Sequence, residues 1–341
     1  MSLSDDLSTE STPDTLLVID AREGQGQRLD QFLTRTLQAR LDGISRTRIQ
    51  RWIALGAVRV DQQVRLPSLR LKGVESIEVE PQPLESDTAF APDPVPLAIV
   101  HQDADITVID KPAGLVTHPA PGNWRNTLMN GLLHADPKAA RLPRAGIVHR
   151  LDRDTSGLLV CARSERAFAS LTAQLASRQM GRRYLAIACG QTPAQGTVEG
   201  NIGRNPKDRM QMAVLPDDQG KHAVTHYRVL ERLGYVTLIE CILETGRTHQ
   251  IRVHMKHIGH VLFNDERYGG HEILKGTHFA KYKQFVNNCF DTCPRQALHA
   301  MTLGFVHPAS GEEMNFTSAL PDDMSRLIDK WRSYISNRDL E

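Results

Sequence analysis

Between residues 81 and 96 the chain carries five prolines, Pro81, Pro83, Pro92, Pro94 and Pro96, mixed with acidic residues. Proline fixes φ and removes an amide donor, so neither a helix nor a central strand runs through such a segment. The run divides the 341 residues into two parts and reads as a semi-rigid linker over 81–95. Charge changes sign across the same region. Residues 1–20 hold five acids and no Lys or Arg, Arg28 to Lys72 holds ten Lys/Arg against three Asp/Glu, and Glu75 to Asp93 holds six acids and no base. A net charge of +1 therefore conceals a compact basic segment, the usual footprint of a polyanionic partner.

Residues 1–15 are small, polar and acidic and are expected to be disordered. They lack the basic and apolar regions of a signal peptide, and no apolar run reaches eighteen residues, so a cytoplasmic protein without a membrane span is expected. Residues 16–80 pattern as a small α/β module. RLDQFLTRTL spaces Leu29, Phe32, Leu33 and Leu37 for one helix. Ser45 can cap a second, SRTRIQRWIALG, which buries Ile49, Trp52 and Ile53 and stops at Gly56. Arg46, Arg48 and Arg51 on that helix are the candidate RNA contacts of the module; a solvated helix face is the plainer reading for any one of them.

From residue 96 to 341 the order is strand (LAIVHQ), strand (ITVIDKPAGLVTHP), helix (NTLMNGLLHAD), then a charged motif and the helix SERAFASLTAQLASR. Strands RYLAIACG, TVEGNIG, AVTHYRVLER and YVTLIECILE follow, then the helix THQIRVHMKHIG, the segment RQALHAMTLGFVHP and a terminal helix. Strands outnumber helices without βαβ alternation, so the expected class is α+β on a largely antiparallel or mixed sheet.

Neither GxGxxG after a strand nor GxxxxGK[ST] occurs, which leaves nucleotide cofactors without support. Histidines 249, 254, 257 and 260 share their segment with Arg252 and Lys256 but with no carboxylate, a setting better suited to phosphate than to a metal. The five cysteines form no framework, and Cys289 and Cys293 make a lone C-x3-C. No metal and no cofactor are expected.

The chemistry concentrates in 146-GIVHRLDRDTSGLLV-160, where four charges stand between apolar shoulders. In extended backbone Arg150 and Asp152 share a face while His149 and Leu151 point away. Asp154 begins turn chemistry, and GLLVCAR continues as a buried strand. In 244-ETGRTHQIRVHMKHIG-259, Thr248 can cap a helix, which puts Arg247 at the positive end of its dipole. A cation there calls for an anionic partner, a phosphate or a buried carboxylate. A carboxylate clamped by a guanidinium stays ionised, fit to be a nucleophile or a base but not a neutral-pH acid.

At these residues the chain is recognisable. The layout of residues 28–80 resembles an S4-type RNA-binding domain. HRLDRDTSG, DKPAGLVTHP, LETGRTHQIRVHM, AVTHYRV and RQALHA closely resemble the RluA-type family of RNA pseudouridine synthases, over about residues 16–330. The resemblance implies Asp152 as catalytic aspartate, Arg247 as its ion-pair partner and Tyr184 as the tyrosine stacked on uracil. Arg150 and Ile251, with His149 and Arg252, are implied to contact substrate. The implied reaction breaks N1–C1′, rotates the uracil and forms C5–C1′ without cofactor or metal. The implied partner is 23S rRNA in the large ribosomal subunit or its precursor, at the helix 69 loop, acted on by a monomer. Rival readings are a related synthase for another rRNA or tRNA site, a non-catalytic RNA-binding assembly factor, and a zinc hydrolase built on the histidine helix with Cys289 and Cys293.

Overall fold

The computed structural model describes residues 16–41, 44–82, 89–272 and 280–338. The acidic tail over 1–15 lies outside them. Contacts divide the chain into two units, Met1–Asp87 and Thr88–Glu341.

In the first unit, β1 (Leu17–Asp20), α1 (Leu29–Gln38), α2 (Arg46–Ala54), β2 (Val58–Val60) and β3 (Ser76–Val79) form a small antiparallel sheet, order β1-β3-β2, under two helices. Leu29, Phe32, Leu33 and Leu37 from α1 pack with Ile49, Trp52 and Ile53 from α2 in one core. Ser45 Oγ accepts from the Arg48 amide at 3.3 Å, and Gly56 ends the second helix at φ +76. Asp30 is fully buried at the start of α1, where Nε of Arg28 and of Arg46 reach it at 3.1 and 3.0 Å. Burial pushes its carboxyl pKa up, but hydrogen bonds from Arg28, Gln50 and Arg46 outweigh that and leave it lowered. Arg46 thus has an internal acid partner while its side chain stays 47% exposed. Arg48 lies over the Trp52 ring at 5.0 Å.

The second unit carries β4 (Ile99–Gln102), β5 (Ile106–Lys111), α3 (Leu128–Ala135), β6 (Ser156–Ala162), α4 (Glu165–Ala176), β7 (Gly181–Cys189), β8 (Gln195–Arg204), β9 (Met212–Leu215), β10 (Lys221–Leu233) and β11 (Val236–Leu243). These are followed by α5 (Gln250–His257), α6 (Ala280–Thr292), β12 (Leu298–Val306), β13 (Glu313–Thr317) and α7 (Asp322–Arg338). One mixed sheet runs β4-β5-β6-β12-β7-β11-β10-β8-β9, with β13 branching from β12. All its pairings are antiparallel except β6 with β12, which is parallel at His299↔Ser156 and Ala300↔Gly157. At that junction Gly157 has φ +111, and a Cβ would lie 2.2 Å from the Ala300 carbonyl oxygen. Only glycine lets the two backbones meet there. The class is α+β.

Two local expectations are corrected. The second strand ends at Lys111 rather than running through DKPAGLVTHP, because Pro112 offers no amide to the ladder and Gly114 turns the chain at φ +87. The proline-rich run is also not free over its C-terminal half. Asn130 Nδ2 donates to the Ala89 and Ala91 carbonyls at 2.8 Å, and Arg125 and the Asn126 amide hold the Asp93 carboxylate. Residues 89–95 are therefore strapped to the start of α3.

Candidate active site

The motif HRLDRDTSG is a loop between a short 3-10 turn ending at Gly146 and strand β6. Leu151 is 3% exposed and anchors it in the main core, beside Leu159, Cys161 and Ile251. Every backbone carbonyl from Leu151 to Asp154 has a donor. Thr117 Oγ1 reaches Leu151 O at 2.8 Å, and the Thr155 amide reaches Asp152 O at 3.1 Å. Lys111 Nζ and the Gly114 amide both reach Arg153 O at 2.9 Å, and Arg295 Nη1 reaches Asp154 O at 3.0 Å. Buried backbone acceptors must be satisfied, and here that requirement locks the peptide frame of Asp152.

Two of those donors are buried cations from motifs whose individual roles the sequence left unassigned. Lys111 is fully buried, its ammonium donating to the Pro112, Leu115 and Arg153 carbonyls at 2.8, 2.8 and 2.9 Å. Burial lowers its pKa to about 7 against the pull of Asp154 and Asp152. Arg295, in RQALHA, pairs with Asp323 of α7 at 2.6 Å. The apolar neighbours of both were the available signal, since a Lys or Arg is rarely fully buried without a specific partner.

The Asp152 carboxylate lies between two cavities, one of about 430 Å³ lined also by Tyr184, Arg182, Arg247 and Ile251, the other of about 510 Å³ lined by Arg153, Asp265 and Arg267. Arg150, Leu151 and Asp152 line both. Its ion-pair partner is Arg252, Nη1 to Oδ2 at 3.0 Å. Arg252 also grips the fully buried Asp265, Nε at 2.7 Å and Nη2 at 2.8 Å. The pairing expected of Arg247 is thus made by Arg252. The helix also begins one residue later than expected. Its cap is His249, left-handed at φ +56, not Thr248, and Gln250 Oε1 takes the Thr245 hydroxyl and the Arg247 amide. Arg252 then points back from the first turn towards Asp152, while exposed Arg247 sends Nε to the His222 carbonyl at 3.0 Å. The missed signal was Asp265 in FNDERY, an acid set just after the buried Leu262 and Phe263.

Burial pushes the Asp152 carboxyl up, but His249, Arg252 and Arg150 together outweigh it and hold the pKa below the ordinary 3.8. Burial itself lowers His249 to about 4, so its ring is neutral near pH 7 and Arg252 is the cation that persists. His249 Nε2 stands 3.9 Å from Asp152 Oδ1, and Nδ1 meets the Tyr268 hydroxyl at 2.8 Å. The carboxylate of Asp152 is thus held by Arg252 on the wall of a cavity.

Tyr184 lies on β7, opposite Cys241 of β11 and Ala300 of β12, 6% exposed, and burial raises its phenol pKa. Ile251 is 3% exposed on the same cavity wall. His149 also lines the cavity, but Nε2 accepts from the Val160 amide at 3.2 Å, so one ring nitrogen belongs to β6. Of the other histidines, His254 meets Thr225 Oγ1 at 2.9 Å and His260 the Cys189 carbonyl at 3.0 Å, while His257 is exposed. Cys289 and Cys293 are buried in the aromatic cluster of α6 and α7.

The comparisons with known proteins point to one family. The family model for RNA pseudouridylate synthase matches residues 105–257. A solved structure, human RNA pseudouridylate synthase domain containing 4, superposes with a TM-score of 0.51 at 25% identity, over 69% of this chain and 93% of that one. Ribosomal large subunit pseudouridine synthase D of Neisseria meningitidis is 45% identical over 95% of this chain and 84% of its own length. The protein of the same name in Escherichia coli is 45% identical over 90% and 91%. This chain belongs to the RNA pseudouridine synthase family and is an RNA pseudouridine synthase.

Proposed function

We propose that this enzyme converts specific uridines of 23S rRNA, in the helix 69 loop, to pseudouridine, with ionised Asp152 acting at the nucleotide sugar. The observation that carries the reading is Asp152 itself, its carboxylate held by Arg252 at 3.0 Å on the wall of a cavity of about 430 Å³, within the size range of small-ligand sites. Relatives named for the large ribosomal subunit over nearly the whole chain support the rRNA target.

In the proposed course the uridine leaves its stack, at a cost of a few kcal/mol that is least in an unpaired loop. Tyr184 and Ile251 flank the base, and Arg150, shared by both cavities, holds the strand. The N1–C1′ bond breaks, the uracil turns, C5–C1′ forms, and the proton lost from C5 is matched by one gained at N1. The first unit acts as an S4-like RNA-binding module through Arg46, Arg48 and Arg51. We assign the enzyme to the cytoplasm as a monomer; among the described residues no helix is long and apolar enough to cross a membrane.

Mapping pseudouridines on unmodified 23S rRNA treated with the protein tests chemistry and target together. The expected new pseudouridines lie in helix 69. Pseudouridines confined to other rRNA or tRNA sites would overturn the target, and none anywhere would overturn the activity.

Lys111 makes a separate expectation. The folded chain gives up the Lys111 proton near pH 7, while the unfolded chain keeps it to the ordinary 10.5. Between those values the unfolded state holds the extra proton, so this group makes the fold more stable as pH rises, by ~1.4 kcal/mol per unit. Denaturant titrations of wild type and Lys111→Met near pH 7 and pH 9 should differ in slope by roughly 2–3 kcal/mol over that interval. Parallel stability curves would mean that Lys111 is not the buried titrating cation.

A further inference from the structure

Strand β7 sets Arg182 and Tyr184 on one face, with Arg183 on the other, 3.5 Å from Glu240. Arg182 is 6% exposed and lines the cavity beside Asp152, yet the fold gives it no counterion among the described residues. Its Nε is buried without a hydrogen-bond partner. Gly246 makes room for it: a Cβ at that position would lie 2.6 Å from Nη1. Arg252, by contrast, holds two carboxylates and Arg295 one.

The cavity wall carries Arg144, Arg150, Arg182, Arg247 and Arg252 against Asp152, and Arg252 already answers that aspartate. The surplus is felt by neighbours. Burial, then Arg182, lowers His149 to about 3; burial, then Arg150 and Arg144, lowers His118 to about 4. A buried guanidinium left unpaired is costly, and an anion entering the cavity relieves that cost. Uracil and ribose are neutral, so the anions an RNA strand brings are its phosphodiesters.

We propose that Arg182 is a binding residue for a phosphodiester immediately flanking the target uridine, and that this contact sets how far the flipped base reaches along Tyr184. The assignment rests on the uridine-isomerising function proposed above. It is tested with short RNA substrates carrying a neutral methylphosphonate at the linkage on either side of the target, in single-turnover reactions of wild type, Arg182→Met and Arg182→Lys. In wild type, neutralising one of the two linkages should weaken binding by about 10–100-fold. The same change should cost Arg182→Met less than about twofold, since the partner is already gone. Equal penalties in wild type and Arg182→Met at both linkages would overturn the proposal. Where Arg182→Met does not fold, Arg182→Lys keeps the charge but loses the planar fork, and a reduced penalty is expected; an unchanged penalty there overturns the proposal equally. Wild type acting on the unmodified RNA is the control for the reaction itself, so its failure counts against the function and not against Arg182.

Discussion

Asp152→Asn should lower the rate of pseudouridine formation by about 10⁴-fold or more while leaving RNA affinity within about threefold. The substitution is nearly isosteric and the loop frame does not depend on the side chain: the four carbonyls from Leu151 to Asp154 are held by Thr117, Thr155, Lys111 with Gly114, and Arg295. Arg252 keeps Asp265 at 2.7 Å, so no buried cation is orphaned. Denaturation and filter-binding measurements alongside single-turnover rates separate the cases. Product formed at the normal rate would exclude Asp152 from the chemistry. The acid limb of the wild-type profile follows from the same site. With its pKa held below 3.8, Asp152 stays ionised down to that value. Its charge in the folded protein is lost only as pH falls through the lower, folded value, whereas the stability it contributes falls from about pH 3.8 down to that value.

Arg252→Met is expected to be the more damaging change to the whole protein. It leaves Asp265, fully buried, and Asp152, 15% exposed, without their shared guanidinium. Breaking a buried ion pair by removing one partner costs about 3–5 kcal/mol, readable as a large drop in the denaturation midpoint. Activity should fall at least as far as stability, because burial then raises the Asp152 pKa unopposed by its closest cation. Arg252→Lys should rescue only part of either, since an ammonium cannot make the three separate contacts of the fork. Arg247→Met, exposed and bonded to a backbone carbonyl, should shift stability by less than ~1 kcal/mol. If Arg247→Met proves as destabilising as Arg252→Met, the pairing described here is wrong.

Much of this was legible before any coordinates. Helical spacing in RLDQFLTRTL and SRTRIQRWIALG, the Ser45 cap and the Gly56 stop depend on residues close in sequence, and local rules suffice for them. So did the placement of a charged loop between apolar shoulders. What the sequence could not reveal was pairing across distance. Thr248 looked a better helix cap than His249, and the choice of Arg252 over Arg247 as partner of Asp152 goes with contacts to Asp265 and to the His222 carbonyl, neither of them adjacent in sequence. The left-handed His249 is held by Tyr268, nineteen residues on, and no local pattern announces that. Lys111 and Arg295 escaped for a similar reason: besides local carbonyls each binds one from the distant Asp152 loop, Arg153 O and Asp154 O, and carbonyls leave no trace in the sequence. The proline run was read from composition alone, whereas Asn130, from inside α3, determines where it lies.

The insertion of β12 between β6 and β7 has a consequence for synthesis of the chain. β6 and β7 are neighbours in sequence but never pair with each other; the strand between them begins at Leu298, and Arg295 with its partner Asp323 comes from the same late stretch. A nascent chain that has emerged only through α5 already holds Asp152, Arg252 and Tyr184, but its sheet is still split and Asp154 lacks its clamp. The parallel junction beside the Asp152 loop is therefore closed only by the segment from Arg295 onward.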